Sequence, residues 1–413
     1  MDGRIKNGYL RIEESHRKNL IVEILEYLFV FFVILEFNTA YMFFPVVGPI
    51  LSNAPILILL LLVALKGSSL KFNYLIILYI IGSFIPLFNV FNGEEFTYVK
   101  LYMLFVPLTA MYCICLDKEK RPYSLLLKFS NIVVVEALVS IIFWIFGSIL
   151  GMISPTMYVP NNWGFLNRLI PSYYNIYFET QEIGWGIRNS GIFNEGPMHN
   201  MILCIALSIE CFMRTKIRYV IVFIFVVAIL STLTTTGILF LAILPIVLYI
   251  FLKRKKINFF SIVLAPFLIV LFLNFSTYII DDKREYEGGK ISVESRSYDI
   301  ERCIEVGMEN PILGVGLFRK SLETSYVRSK SQYGGSNSIF KAFAHGGAYT
   351  FTLYVVLFLF VPLYYYIRKQ KNNWPPVVLL FFIVFAITSS LYKILTFFFL
   401  GFVISKIMKT KTI

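Results

Sequence analysis

The strongest constraint on the fold of this chain is a series of apolar stretches, each about as long as a helix that crosses a bilayer. A transmembrane helix needs about 20 consecutive apolar residues. Only 15% of the 413 residues are charged, whereas a soluble domain has about a quarter. We therefore predict an all-α polytopic membrane protein in which residues 1–413 form a single integral membrane domain. The twelve predicted spans lie at 22–44, 49–65, 72–91, 98–116, 123–152, 198–213, 219–235, 237–252, 258–280, 346–367, 375–390 and 391–407.

The positions of lysine and arginine predict how these spans are oriented. Cytoplasmic loops of membrane proteins carry an excess of these residues. With twelve spans, the net charge is +19 on one side of the membrane, −3 inside the spans and −3 on the other side. Together these give the formal net charge of +13. We expect both termini on the basic, cytoplasmic side. This distribution explains the positive charge without a nucleic-acid partner.

Two connections on the less basic side are long, at 153–197 and 281–345. Transporters usually keep their connections short and bind substrates near the bilayer midplane, so we expect this chain to act at its outer membrane face. The first long loop is rich in apolar and aromatic residues and is expected to fold against the bilayer. These residues are Trp163, Phe165, Leu166, Tyr173, Tyr174, Tyr177 and Trp185.

The second long loop contains a predicted amphipathic helix. Ser295 or Ser297 is expected to cap its start, and Asn310–Pro311 is expected to end it. Its apolar stripe is predicted to consist of Ile300, Cys303, Ile304 and Met308, which recur at helical spacing.

Arg296 would then lie at the N-terminal end of this helix. A cation opposes the helix dipole there unless an anion is bound nearby. A helix N-terminus beside an arginine suits a pyrophosphate group. The alternative is a solvated arginine that pairs with Glu294 or Asp299.

Three further sites carry polar or glycine residues next to spans. Gly314 and Gly316 permit a tight turn and a close backbone approach, although an ordinary turn after the helix is the alternative. Asn337 and His345 lie at the entry to the tenth span, where each could simply hydrogen-bond at a helix end. A polar turn, 231–237, joins the seventh and eighth spans.

The first long loop ends in a charged segment directly before the sixth span. Arg188, Glu195 and His199 lie close together there at the membrane surface. The alternative is an interfacial anchor, in which Arg188 reaches lipid phosphate and Glu195 is its structural partner.

Together these motifs resemble the bacterial superfamily of O-antigen polymerases and O-antigen ligases, which are polytopic glycosyltransferases. The second loop has the family's order of an arginine, an Asn-Pro, a Gly-x-Gly and a polar residue before the next span. The first loop has its arginine, glycine and Phe-x-Glu-x-Pro run. The matching residues are Arg296, Asn310, Pro311, Gly314, Gly316 and Asn337 in the second loop, and Arg188, Gly191, Phe193, Glu195 and Pro197 in the first.

Two departures from the family pattern favour a polymerase over a ligase. Ligases usually carry an arginine after the serine of the polar turn, where this chain has residues 234–236, all threonine. Ligases also carry a His-Asn pair in the second loop, where this chain has Ser336–Asn337.

The resemblance implies a GT-C-like fold and metal-independent glycosyl transfer without a cofactor. It implies donor and acceptor glycans on undecaprenyl pyrophosphate, contact with membrane lipid, and a chain-length regulator protein as a partner. The product would be an O-antigen or capsular polysaccharide. The enzyme would lie in the bacterial cytoplasmic (inner) membrane with its long loops extracytoplasmic.

The resemblance and the residue types together give a predicted site. The catalytic candidates are Arg188, Arg296, Glu195, His199 and His345, in which the arginines stabilise the leaving pyrophosphate and one of the other three activates the acceptor hydroxyl. The substrate-binding candidates are Arg302, Gly314, Gly316, Asn337 and Arg319. A flippase or transporter is the alternative outside this enzyme class, because ionisable residues inside spans are often functional. Those residues are Lys100, Glu136, Glu210 and Lys393.

Overall fold

The computed structural model describes residues 20–66, 79, 82, 99–161, 168–183, 186–252, 287–316, 337–368 and 372–409. In the first half of the chain, α1 covers 20–36, α2 covers Val47–Leu65, α3 covers Val106–Lys118 and α4 covers Ser124–Phe143. A π-helical turn, Val99–Phe105, precedes α3, and another, Trp144–Ile149, extends α4. A short 3-10 helix, Ala40–Phe43, follows α1.

The second half of the described chain is also mainly helical. Its helices are α5 (Gly196–Phe212), α6 (Tyr219–Ser231), α7 (Thr235–Leu252), α8 (Glu287–Glu309), α9 (Ser338–Val355), α10 (Val361–Ile367), α11 (Trp374–Ile387) and α12 (Ile394–Lys409). A π-helical segment, Val356–Phe360, joins α9 to α10.

Three helices of the described residues are long and apolar enough to cross a membrane. They are Val47–Leu65, Ser124–Ile149 and Ser338–Ile367, and the last begins before the predicted span 346–367. Five shorter apolar helices accompany them, so the chain has the mostly helical architecture of a membrane protein. The predicted spans 72–91 and 258–280 lie outside the described residues apart from Tyr79 and Gly82. The count of twelve spans and the GT-C-like fold therefore stay predictions.

The centre of the bundle is α5, which is buried along almost its whole length. It packs against α4, α6, α7 and α11. Most of its residues are apolar, as expected for a helix enclosed by other helices, and its buried polar residues include His199 and Glu210. Because α5 begins directly after the first long loop, the last residues of that loop enter the core.

One end of the bundle, here called the basic end, is held by buried ion pairs. Glu26 is fully buried and lies 2.8 Å from Arg121 Nη2 and 3.1 Å from Lys128 Nζ. Glu210, also fully buried, accepts a hydrogen bond from Arg218 Nε at 2.9 Å. A buried carboxylate needs such partners because desolvation of an unpaired charge is costly. Glu210, one of the intramembrane residues on which the transporter alternative rests, thus has a structural role here.

The opposite end, here called the loop end, contains segments 37–46, 150–161, 168–183, 186–195 and 232–234. The Ala40 backbone N–H donates to the Ile192 carbonyl at 2.9 Å, and the Asn189 N–H donates to the Ser231 carbonyl at 3.0 Å. These bonds tie the end of α1 and the end of α6 to the last part of the first long loop. The loop end therefore positions the residues around 188–199.

The first long loop folds into short strands, which the sequence analysis did not predict. The strands β1 (Met157–Asn161), β2 (Arg168–Tyr173) and β3 (Tyr177–Phe178) form an antiparallel sheet. The strands β4 (Glu182–Ile183) and β5 (Gly186–Ile187) form a hairpin.

This sheet packs against the end of α4. The rings of Tyr173 and Tyr177 lie 6.0 and 6.2 Å from the ring of Phe143. Val159, Ile170 and Phe178 of the sheet form a small apolar core with Ala40 of the 3-10 helix, which is the expected pattern for a sheet with one buried face. The predicted contacts of Trp163, Phe165, Leu166 and Trp185 lie outside the described residues.

The helix of the second long loop begins earlier than predicted. It starts at Glu287, so Arg296 lies in its interior and the prediction that Arg296 opens the helix is wrong. Ser295 and Ser297 do not cap this helix, because both lie in its interior. A serine inside a helix can point to solvent or bond back to the preceding turn. The predicted end at Asn310–Pro311 agrees with the last helical residue, Glu309.

The predicted apolar stripe of α8 is wrong in part. Cys303 and Val306 are buried against Ala344 of α9. Ile304 and Met308, by contrast, are 40% and 63% exposed. The helix therefore presents a narrower face to α9 than its apolar residues alone suggest.

Candidate active site

The two long loops meet at Arg188, which follows β5. Burial lowers the pKa of the Arg188 guanidinium, the carboxylate of Glu195 acts against this shift, and the positive charge of Arg296 adds to it. An arginine stays protonated even so. The charges of Arg188, from the first loop, and of the exposed Arg296, from the interior of α8, thus act on each other, and Glu195 acts on Arg188 as well. A place where two arginines interact is suited to an anion.

Gln181 holds the Arg188 side chain. Its Oε1 accepts a hydrogen bond from Arg188 Nη1 at 3.2 Å and another from the Gly196 N–H at 3.2 Å. The Arg188 backbone N–H donates to the Gln181 carbonyl at 3.0 Å. Among the described residues, the buried Arg188 Nε has no hydrogen-bond partner. A buried donor without a partner costs about 1–3 kcal/mol, so this N–H is suited to a ligand.

Glu195 lies at the start of α5, beside Arg188. Its backbone is extended and its carbonyl accepts from the His199 N–H at 3.3 Å. Its side chain does not cap the helix. The next residue, Gly196, allows the close approach of Arg188, since a Cβ there would lie 3.2 Å from Arg188 Cδ.

His199, a predicted base, is fully buried and uses both ring nitrogens. Nε2 lies 2.9 Å from Glu136 Oε2 on α4, and Nδ1 lies 3.1 Å from the Asn189 carbonyl. The ring also stacks on Phe193, with centroids 5.3 Å apart. In this arrangement His199 fixes the segment that carries Arg188, and neither nitrogen is open to a hydroxyl.

Asn189 connects this segment to the predicted polar turn. Its Nδ2 donates to Ser231 Oγ at 2.9 Å and to Ser140 Oγ at 3.2 Å, and its Oδ1 accepts from the Gly191 N–H at 3.1 Å. The turn after α6 therefore supports the first loop through its hydroxyls. Sequence reasoning did not select Asn189 or Gln181. From the sequence, Glu136 is recognised only as a charged residue inside a span.

The glycine turn of the second loop docks onto a break in α9. Gly314 and Gly347 both have positive φ, 69° and 58°. The Gly316 N–H donates to the His345 carbonyl at 2.9 Å, and the Ala348 N–H donates to the Pro311 carbonyl at 2.7 Å. A Cβ at Gly314 would lie 2.4 Å from the His345 carbonyl carbon. The glycines thus permit backbone contact between α8 and α9, while their substrate-binding role stays a prediction.

The other predicted residues that the structure describes lie around α8 and α9. His345 is buried, and its Nδ1 hydrogen-bonds to the Tyr392 hydroxyl. Asn337 caps α9 by accepting hydrogen bonds from the backbone N–H groups of residues 339 and 340 at 3.0 and 3.2 Å. This is the alternative that the sequence allowed for Asn337, namely hydrogen bonding at a helix end. Arg302 Nη1 lies 2.8 Å from a carboxylate oxygen of Glu305, and Arg319 lies outside the described residues. The catalytic or binding roles of these residues stay predictions.

Comparison with known proteins adds one finding. Residues 220–355 match a family model described as O-antigen ligase. The matched part includes α6 to α9, with Arg296 and His345, whereas Arg188 and Glu195 precede it. No curated protein and no solved structure matches the chain. The matched part of the chain is thus similar to O-antigen ligases.

Proposed function

We propose that the chain is a polymerase that joins lipid-linked oligosaccharide repeat units into a surface polysaccharide. The substrates are glycans on undecaprenyl pyrophosphate, and the reaction takes place at the outer face of the bacterial cytoplasmic membrane. One observation carries this proposal: the charges of Arg188 and Arg296, from two separate loops, interact, and Glu195 acts on Arg188 as well. A membrane protein in which two arginines from separate loops interact is suited to a lipid pyrophosphate.

The chemistry of glycosyl transfer explains the need for these residues. The bond between the first sugar carbon and the pyrophosphate oxygen breaks, and the leaving lipid pyrophosphate takes the electron pair. Arg188 and Arg296 stabilise that charge, and removal of one such group typically costs about 10²–10³-fold in rate. The acceptor hydroxyl forms the new bond and gives its proton to a base. Glu195 takes this role, because its carboxylate acts on Arg188, one of the two arginines that stabilise the leaving group.

A ligase is the second candidate, and the description of the matching family model favours it. A ligase moves the finished glycan from the lipid carrier to its final acceptor. The threonines at 234–236 and Ser336–Asn337 favour the polymerase instead, since both stand where ligases usually carry other residues. Both candidates use the same leaving group, so the arginine pair serves either.

Deleting the gene distinguishes the two candidates. If the chain is a polymerase, the deletion strain carries single repeat units on their final acceptor, seen as loss of the ladder on a polysaccharide gel. If it is a ligase, long chains accumulate on the lipid carrier. A flippase without transferase activity is identified by purified protein that moves lipid-linked glycan across vesicles without lengthening it.

The arginine roles are tested in the same strain with plasmid-borne variants. Arg188→Ala and Arg296→Ala are expected to remove the long polymer while the protein still inserts in the membrane. Arg368→Ala is the matched control, because Arg368 lies at the end of α10 and stacks on Tyr364. Normal polymer from Arg188→Ala or Arg296→Ala contradicts the assigned roles. Co-purification of a chain-length regulator is a separate test of the proposed partner.

A further inference from the structure

The membrane-spanning helix made of α4 and its π-helical extension carries a stripe of exposed apolar residues. Successive members of the stripe are three or four positions apart, so they lie on one face of the helix. The helix, Ser124–Ile149, is long enough to cross a membrane, and this face is therefore suited to contact lipid chains. The stripe consists of Val135, Leu138, Ile142, Phe146 and Ile149.

The sheet of the first long loop lies beside the last turns of this helix. A Cβ at Gly147 would lie 2.8 Å from Tyr173 Cε1, and Ser148 Oγ lies 3.2 Å from the Tyr177 hydroxyl. Both contacts fall within the last three residues of the helix. The sheet is therefore level with the end of the span, where the hydrocarbon of a bilayer gives way to the headgroups.

One face of this sheet, here called the outer sheet face, consists of Tyr158, Pro160, Leu169 and Pro171. The register places Tyr158 opposite Pro171 and Pro160 opposite Leu169, and alternate residues of a strand share a face. Tyr158 and Leu169 are 62% and 66% exposed. The opposite face holds the small apolar core that packs on the 3-10 helix. The sheet thus has a second apolar face that the described residues leave uncovered.

Exposed apolar residues also connect the stripe of α4 to the outer sheet face along the chain. Leu150, Met152 and Met157 lie between the two, and all three are exposed. The surface suited to lipid contact therefore continues from the end of the span into the sheet.

The residue types of the outer sheet face favour lipid over a protein partner. Tyrosine is enriched at membrane–water interfaces, because its ring is apolar and its hydroxyl stays in contact with water. The face has no acidic or basic side chain, so it does not depend on headgroups of one charge. In the described sheet, β1 is an edge strand, and a proline on an edge, here Pro160, hinders pairing with a strand of another chain.

We propose that the outer sheet face is an interfacial anchor that lies among the phospholipid headgroups and upper acyl chains at the loop end of the bundle. This is the outer leaflet in the predicted orientation. The aromatic residues from which the sequence predicted contact with the bilayer include Tyr173 and Tyr177, which are buried beside α4. The structure assigns the contact to Tyr158 and Leu169 instead. The anchor fixes the depth of the first long loop in the membrane, and it does not depend on which reaction the chain catalyses.

Fluorescence quenching of a labelled protein tests the anchor. Full-length Leu169→Cys is labelled with the fluorophore NBD and placed in phosphatidylcholine nanodiscs. The five native cysteines are all buried, so the label should attach to the new thiol. Glu182→Cys is the matched control, because Glu182 is an exposed residue of the same loop, on β4. Lipid with a doxyl group at carbon 5 of its acyl chain should quench the label at 169 and spare the label at 182, and iodide in the water should do the reverse.

Two results of this measurement overturn the inference. In one, iodide quenches the label at 169 as strongly as the label at 182, which means that the face lies in water. In the other, neither quencher reaches the label at 169, which means that protein covers the face, either a second copy or another part of the chain.

A second measurement covers the case in which labelled Leu169→Cys does not fold. A photoreactive phenylalanine analogue at position 158 keeps a ring there and should crosslink to phosphatidylcholine, whereas the same analogue at 182 should not. Equal capture of lipid at both positions, or capture of protein at 158, contradicts the anchor. Because neither measurement uses turnover, a negative polymerase assay leaves both informative.

Discussion

Replacement of Gly191 by alanine should break the contact that positions the first loop. Gly191 has φ of +54°, and a Cβ there would lie 2.2 Å from Glu136 Oε1 and 3.0 Å from His199 Cε1. Alanine in the left-handed region costs about 1–2 kcal/mol. Displacing the Glu136 carboxylate from His199 loses a charge-assisted hydrogen bond, about 1.5–3 kcal/mol more. We expect Gly191→Ala to lower the free energy of unfolding by roughly 2.5–5 kcal/mol in total.

A matched control separates the two contributions. Gly151 has φ of +63°, and a Cβ there meets nothing within 4 Å, so Gly151→Ala should cost only about 1–2 kcal/mol. The free energies are measured by titrating the purified protein with sodium dodecyl sulfate in mixed micelles and following tryptophan fluorescence. In the double variant Gly191→Ala/Glu136→Ala the steric share should disappear, giving a smaller loss than the sum of the single changes. Equal losses for Gly191→Ala and Gly151→Ala would refute the reasoning.

Three further predictions concern the charge, the cap and the pH response. Arg188→Lys keeps the charge but loses the planar fork of donors. On a gel, its polymer should be shorter and scarcer than that of the wild type but more abundant than that of Arg188→Ala. Equal amounts of polymer from Arg188→Lys and Arg188→Ala would contradict this prediction. Asn337→Ala should lower the free energy of unfolding by about 0.5–2 kcal/mol through loss of the helix cap, whereas Asn337→Asp, which keeps the cap, should retain stability and activity; inactivity of a stable Asn337→Asp would instead indicate substrate contact. Burial raises the pKa of Tyr177, so its contribution to stability is present below the ordinary tyrosine pKa of about 10 and is lost as the pH rises above that value. In unfolding titrations from pH 8 to 11, the free energy of unfolding should fall less for Tyr177→Phe than for the wild type. An equal fall in both proteins would contradict this prediction.

The sequence selected the residues of the candidate site at the level of motifs. Arg188, Glu195 and Arg296 were selected because arginine and carboxylate at the entry to spans suit a pyrophosphate transfer, and the structure brings their charges close enough to interact. The glycine pair at 314 and 316 was selected for close backbone approach, which the structure shows against α9. These features are local, so a short pattern is enough to predict them.

Other features could not be predicted because they depend on which distant segments meet. Glu136 and His199 are 63 positions apart, and no periodicity links them. The start of α8 at Glu287 also differs from prediction, since serine at 295 and 297 fits a helix interior as well as a cap. The apolar stripe of α8 was misjudged because burial of Cys303 and exposure of Met308 depend on where α9 lies.

By itself, the sequence determined the class of the protein, because its long apolar stretches and its few charged residues fit a membrane protein. It also predicted Arg188 and Arg296 as charged residues of the two long loops. The tertiary structure decided that these two charges interact, and it placed both ring nitrogens of His199 in hydrogen bonds to Glu136 and to the Asn189 carbonyl. The physical reason is that burial and hydrogen bonding at one residue are fixed by atoms from several helices, whereas composition and periodicity describe one segment at a time.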